Sequence, residues 1–233
     1  MENKSPQKGK KLGVGRKLSA DQEAEMFRLM TTRRPFQLGF KLPYKNAKLY
    51  LWTRDMLIQL ITQKFGVKLT DGGVVNYLTR WGFPPLNRRK AKEKQCHHTT
   101  QAWLEKNLDN LIAHSKAENS QIYWLGDIAL IGLHSSEKSR QKRLTVISVI
   151  SNQGRHRWLT IRGEFNPERQ VMLFQSLTGQ SRDKVYLIRN TITHFKDGLV
   201  IAWLNNNRDK LELLPPLGCS ENIDADAVHS FVN

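Results

Sequence analysis

Between Leu51 and Phe83 the apolar positions fall into two stripes with helical spacing. Leu57, Ile58, Ile61 and Phe65 recur one turn apart behind Thr53, a candidate N-cap, and Gly66 suits a left-handed C-terminal cap. Thr70 is a second N-cap candidate; Val74, Leu78 and Trp81 follow it as a second stripe, which Gly82 and Pro84-Pro85 bring to an end. The spacing predicts two amphipathic helices joined by a tight turn, a helix-turn-helix. Upstream, Ser19 and Gln22 form a capping box that opens a helix through about Met30, with Ala20, Ala24 and Phe27 on one face. A three-helix unit thus precedes Phe83, the minimum that buries an apolar centre around such a pair.

Further on the pattern changes character. Residues 87 to 98, NRRKAKEKQCHH, read as a charged linker, and a helix follows from Thr100 to about Glu118 with Trp103, Leu104, Leu108 and Ile112 as its stripe. IYWLGDIALIGL and RLTVISVIS are β-rich, and RHRWLTIRGEF is a third strand after the turn Asn152-Gln153-Gly154. Pro167 begins a helix through about Gln180. KVYLIRN is a short, nearly continuous apolar strand of the kind buried on both faces, and a helix from Lys196 to Asn207 and a strand LELLPP follow. Three strands in sequence, then alternating helix and strand, predict a mixed α/β sheet. The expected organisation is a disordered basic arm (1–18), a winged-helix-like helix-turn-helix domain (19–86), a linker and connecting helix (87–118) and a mixed-sheet domain (119–233), an α+β or α/β chain. The six tryptophans, Trp52, Trp81, Trp103, Trp124, Trp158 and Trp203, sit at apolar positions of these elements, which suits core packing better than base stacking.

Charge gives the first helical unit a partner. Residues 1 to 99 hold 21 Lys and Arg against 7 Asp and Glu, a net of +14, whereas residues 100 to 233 hold 16 against 14. A basic surface of this kind binds polyanions through phosphate contacts and counterion release, so double-stranded DNA is the expected partner. On the outer face of the second helix, Asn76, Thr79 and Arg80 suit base edges, Asn favouring adenine and Arg favouring guanine. Lys68, Thr70, Arg54 and Arg16 are the expected phosphate contacts, Gly72 and Gly73 leave room for a backbone, and Gly13 to Arg16 suits an arm lying along DNA. The bland alternatives are a helical hairpin with its polar face in water and a solvated tail.

Other chemistry is thin. No lipidation motif, signal peptide or bilayer-length apolar run is present, and Cys96 and Cys219 make no disulfide framework. The expectation is a cytoplasmic, nucleoid-associated protein without a membrane partner. Cys96-His97-His98 lacks a second pair at zinc-site spacing, and neither a phosphate-binding glycine loop nor a GxSxG elbow occurs.

Several segments carry a family likeness: GRKLS before the first helix, LWTRDMLIQLITQKFGVKLT with VVNYLTRWG, IYWLGD, the ISVISNQGR hairpin, Asn190 and His194 after a strand, and LELLPPL. In this order the chain, from about Gly15 to Asn233, resembles bacterial insertion-sequence transposases of the mariner superfamily. The resemblance implies an RNase H-like domain with three carboxylates (DDE type) holding two divalent cations, Mg²⁺ if catalytic, for water activation and DNA strand transfer. Asp127 occupies the first carboxylate position. At the second, KVYLIRN puts Arg189 where the family has an aspartate, a substitution that repels Mg²⁺ and suits pairing with Asp127. At the third, alignment places Ala225, flanked by Asp224 and Asp226, and a one-residue slip restores an acid and a metal ligand there. Family members also carry another helix-turn-helix before the GRKLS-like linker, and a longer closing helix; the expectation is a truncated or decayed transposase. The preferred function is therefore a transposase-derived DNA-binding protein that does not cleave and needs no cofactor. The alternatives are an active metal-dependent transposase, and a partner of a full-length transposase or of a second copy.

Overall fold

The computed structural model describes residues 16–41, 50–83, 98–132, 143–189 and 195–214. Its first helix, α1 (Ala20–Thr32), starts at the expected capping box. The Ser19 hydroxyl accepts from the Gln22 N–H at 3.2 Å, and the Gln22 side chain accepts from the Ser19 N–H at 2.9 Å. The buried face is not the expected one. Glu23, Met26, Leu29 and Met30 face inward, while Ala20 and Ala24 are exposed and Phe27 is half-buried. Methionine and leucine withdraw more apolar area than alanine, and two arginines draw Glu23 inward. Arg16 to Leu18, expected within the disordered arm, are also placed: Leu18 is buried and its N–H donates to the Tyr77 hydroxyl at 3.0 Å.

A two-residue strand β1 (Trp52–Thr53) leads directly into α2 (Arg54–Phe65), whose first turn is capped by the Thr53 hydroxyl. Gly66, at φ +68°, ends α2 in the left-handed conformation that favours glycine. Four residues later Thr70 caps α3 (Asp71–Arg80), accepting from the Gly73 N–H at 3.1 Å. Val74, Tyr77 and Leu78 form the buried side of α3, and Trp81 lies half-buried beyond it. The connecting helix is α4 (His98–Ala117).

The remaining elements are β2 (Gln121–Gly132), β3 (Arg143–Ser151), β4 (His156–Arg162), α5 (Pro167–Gly179), β5 (Val185–Ile188), α6 (Gly198–Asn206) and β6 (Leu211–Leu214). Together with β1 the strands form one sheet in the order β1-β4-β3-β2-β5-β6. The β2-β3-β4 meander is antiparallel, β5 and β6 run parallel to β2, and β1 pairs antiparallel on the β4 edge. An antiparallel meander continued past its first strand by two parallel strands is the RNase H-like arrangement. All four residues of β5 are buried, as its apolar run requires.

Alternating strand residues send two apolar faces outward from the sheet. On one, Tyr123, Leu125, Ile147, Val149, Leu159 and Leu187 pack against Leu173, Phe174 and Leu177 of α5 and Val200 of α6. On the other, Ile122, Trp124, Ile150, Tyr186 and Ile188 pack beneath Leu104 and Leu111 of α4. The helical unit expected over 19–86 sits beside α4 on this second face. Its core takes in Leu144, Val146 and Trp158 of the sheet alongside Met26, Leu57, Ile61, Val74 and Leu78. Trp158 is in register with Trp52 of β1 and meets Phe83 edge-on at 6.1 Å. Two polar ties reinforce the seam: the Thr160 hydroxyl donates to the Met30 carbonyl at 2.8 Å, and the Arg34 guanidinium donates to the Thr160 carbonyl.

His156 lies in the same seam, buried, with its ring 5.3 Å from that of Trp158 and its Nε2 without a partner among the described residues. Burial, assisted by the nearby Arg54 cation, lowers its pKa from the ordinary 6.5 to about 3. The imidazole is therefore neutral in the folded chain, whereas an unfolded chain binds a proton below pH 6.5. Stability is complete above that value and falls as pH drops from about 6.5 toward 3, at up to ~1.4 kcal/mol per pH unit from this residue. Urea unfolding at pH 7 and pH 5 checks the sign: His156→Phe should lose about 2 kcal/mol less than the parent between the two. Trp158→Ala should cost ~3–5 kcal/mol, with far-ultraviolet circular dichroism and tryptophan fluorescence following one shared transition. Two separated transitions in the parent chain would show that helices and sheet fold independently.

Candidate nucleic-acid interface

With Val74, Tyr77 and Leu78 buried, the helical repeat leaves Gly72, Asn76 and Thr79 on the opposite side of α3, and all three are exposed. The stripe is polar and uncharged. Its N-terminal end is where positive groups gather: Lys68 lies just ahead of Thr70, and the Lys17 ammonium donates to the Lys68 carbonyl at 3.0 Å. Arg54 reaches across from the first turn of α2 to Asp71, with Nη1 2.8 Å from Oδ2. The Thr70 hydroxyl already accepts a bond from α3 and keeps its own proton for a donor contact.

The other two arginines of the expected site are drawn to Glu23, with 21% of the Arg16 side chain and 35% of the Arg80 side chain exposed. Arg80 places Nη1 3.2 and 3.3 Å from the two carboxylate oxygens of Glu23, and its guanidinium carbon lies 4.9 Å from the Tyr77 ring centre. Arg16 donates to the same carboxylate at 3.2 Å. Glu23, whose side chain is only 10% exposed, thus joins the segment before α1 to the last turn of α3. An acid this buried needs cationic partners, and α3 supplies one from the end of its exposed face.

Among the residues expected at DNA, the structure brings Asn76 and Thr79 together on one face, and Lys68, Thr70 and Arg54 together at its N-terminal end. It ties Arg16 and Arg80 to Glu23. Lys17 joins the N-terminal group without having been expected there; it lies 51 positions from Lys68 and meets it only through the fold. Within the helical unit's described residues, 16–41 and 50–83, there are ten Lys and Arg, and the remaining basic residues of the first ninety-nine lie outside the described residues.

The expected carboxylate positions lie elsewhere on the sheet. Register passes from Leu125↔Val149 to Ile128↔Ile147, so Gly126 and Asp127 together oppose Ser148 in a β-bulge of β2. On the neighbouring parallel strand, Trp124 is level with Ile188, which places Arg189 at the carboxyl end of β5 beside Leu125. Arg189 is half-buried, and its N–H donates to the Leu214 carbonyl of β6 at 2.8 Å. Here the chain direction switches, one connection leaving β2 toward β3 and β4 and the next arriving at β5, the position where open sheets form crevices. Asn190, His194, Asp224, Ala225 and Asp226 lie outside the described residues, as do Cys96 and His97 of the candidate zinc cluster. Among the described residues no three His, Cys, Asp or Glu come together as a metal group, and no helix is long and apolar enough to cross a membrane.

Residues 50–107, from just before β1 into α4, match the winged helix-turn-helix family. No curated protein matches the chain. Among solved structures, it is similar to the crystal structure of the catalytic domain of Mos1 mariner transposase, at 12% identity and a TM-score of 0.34, over 64% of this chain and 74% of that one. The winged helix-turn-helix match takes in both helices of the α2-α3 pair.

Proposed function

We propose that the chain is a transposase-derived protein that binds double-stranded DNA through α3 and does not cut it. The outward-facing, uncharged stripe Gly72, Asn76 and Thr79 carries this reading: it crosses the second helix of a helix-turn-helix whose other side is buried. Side chains of this kind exchange hydrogen bonds with base edges in a major groove, while Lys17, Lys68 and Thr70 lie where a phosphate would flank the helix N-terminus. Arg54 stands at the same end, paired with Asp71.

Non-cleavage is the other half of the proposal. A two-metal centre needs several carboxylates, because each Mg²⁺ takes only one or two protein oxygens beside its waters. Asp127 sits in a bulge next to a strand end that presents Arg189, a permanent cation. The described residues at that edge do not offer the set of carboxylates that a pair of Mg²⁺ ions needs.

Gel shifts on a duplex library, with nicking assayed in Mg²⁺, test both halves. Binding without nicking is the expected result; nicking that disappears in Asp127→Ala would sink the second half. Gly72→Ala separates binding from folding. A Cβ there meets nothing within 4 Å, so the variant should be as stable as the parent or more so, by up to ~1 kcal/mol. Its methyl group stands on the reading face, and affinity should fall by about tenfold, the equivalent of roughly 1.4 kcal/mol. Substituting Lys17 and Lys68 by alanine should make log affinity less steeply dependent on log salt, by about one unit of slope for each phosphate that is no longer neutralised.

A further inference from the structure

We infer that α3 reads A·T base pairs, with Asn76 and Thr79 as the specificity-determining residues and Arg80 withheld from guanine. This rests on the DNA-binding reading above and adds what that reading leaves open, the bases recognised.

The argument begins with what each outward-facing side chain offers. Asn76 presents a donor and an acceptor in one carboxamide, the pair that matches N7 and the N6 amino group of adenine. Thr79, three residues on, carries a methyl group that suits the C5-methyl of thymine and a hydroxyl that adapts to its neighbours. Both reach solvent, and neither side chain bonds to another described residue, so both are available to a groove. Gly72, one turn before Asn76, adds no side chain and lets the helix approach closely.

Guanine is most often read by a guanidinium making two bonds, to O6 and N7. Arg80 is the only arginine of α3, and its Nη1 is shared between the two Glu23 oxygens while its guanidinium rests over Tyr77. Swinging it into a groove would leave Glu23, 10% exposed, with Arg16 as its remaining partner. The ion pair therefore works as a selectivity device: it removes from the reading face the one side chain that would favour guanine.

Selection from a randomised duplex library, using the full chain and the variants Asn76→Ala, Thr79→Ser and Glu23→Gln, tests this. The parent should enrich a site with an adenine that becomes degenerate in Asn76→Ala. Changing that base should weaken parent binding roughly five- to 150-fold. Thr79→Ser should relax a nearby thymine, and Glu23→Gln, by loosening Arg80, should raise the frequency of guanine. Asn76 and Thr79 lie on the outer face, so their variants stay informative if Glu23→Gln folds poorly. A guanine-centred site that Arg80→Ala relaxes, or an adenine preference untouched by Asn76→Ala, overturns the inference while DNA binding stands. Absence of binding to any duplex overturns the DNA-binding reading beneath it.

Discussion

The packing of the helical unit onto the second face of the sheet is the constraint on which the rest depends. A helix of ten residues has little stability of its own, and two glycines in the first turn of α3 weaken it further. What holds it helical is burial of Val74, Tyr77 and Leu78 in a cluster that α1, α2, β3 and β4 complete together. Trp158 lies in that cluster, level with Trp52 on β1 and beneath Phe83 just past α3. Because the same cluster fixes both the helix and the sheet, the outward direction of Asn76 and Thr79 is set in part by strand residues far later in the chain.

Charge within this arrangement does two separate jobs. The arginines nearest the core, Arg16 and Arg80, compensate Glu23 and fasten α1 to α3. Arg34 likewise commits a donor to a strand carbonyl. Glu23 offsets one of the two charges of Arg16 and Arg80, whereas Arg34, bonded to a neutral carbonyl, keeps its own. The groups placed to meet phosphates are fewer among the described residues, and most of the excess positive charge of the first ninety-nine residues belongs to segments flanking them. On the proposed reading, the uncharged outer face of α3 would supply sequence preference and the basic flanking sequence would supply affinity without it.

How much of this was legible in the sequence depends on the range of the interaction concerned. Caps and helix ends are local chemistry: Ser19 with Gln22, Thr53, Thr70 and Gly66 act where the pattern places them. The mixed sheet was legible from three apolar runs followed by alternation, and β5 from its unbroken apolarity. The inward face of α1 was not. Its deciding residue, Glu23, reads as an exposed acid until Arg80, 57 positions away, is brought beside it. The bond from Lys17 to the Lys68 carbonyl, 51 positions away, is invisible to the pattern for the same reason. The spacing puts Arg80 beside Thr79, where it reads as a base contact, and spacing holds no record of the Glu23 carboxylate that the fold brings to it.

The bulge in β2 joins the two halves of the molecule. By adding one residue opposite Ser148 it inverts the alternation of the strand, so that Trp124 faces α4 while Ala129 and Ile131, an odd number of residues further on, also come to the helical side. Ile131 then lies 3.8 Å from where a Cβ on Gly82 would stand, against the turn that ends α3. Without the extra residue, Ala129 and Ile131 would face away, and the last turn of α3 would lose its support on the sheet. Asp127 belongs to that bulge. A bulge at a strand position where a family's catalytic acid is expected needs no catalysis to account for it, since seating the reading helix already requires the inversion. Asp127, as part of that bulge, is therefore compatible with the proposed reading, in which function rests on α3.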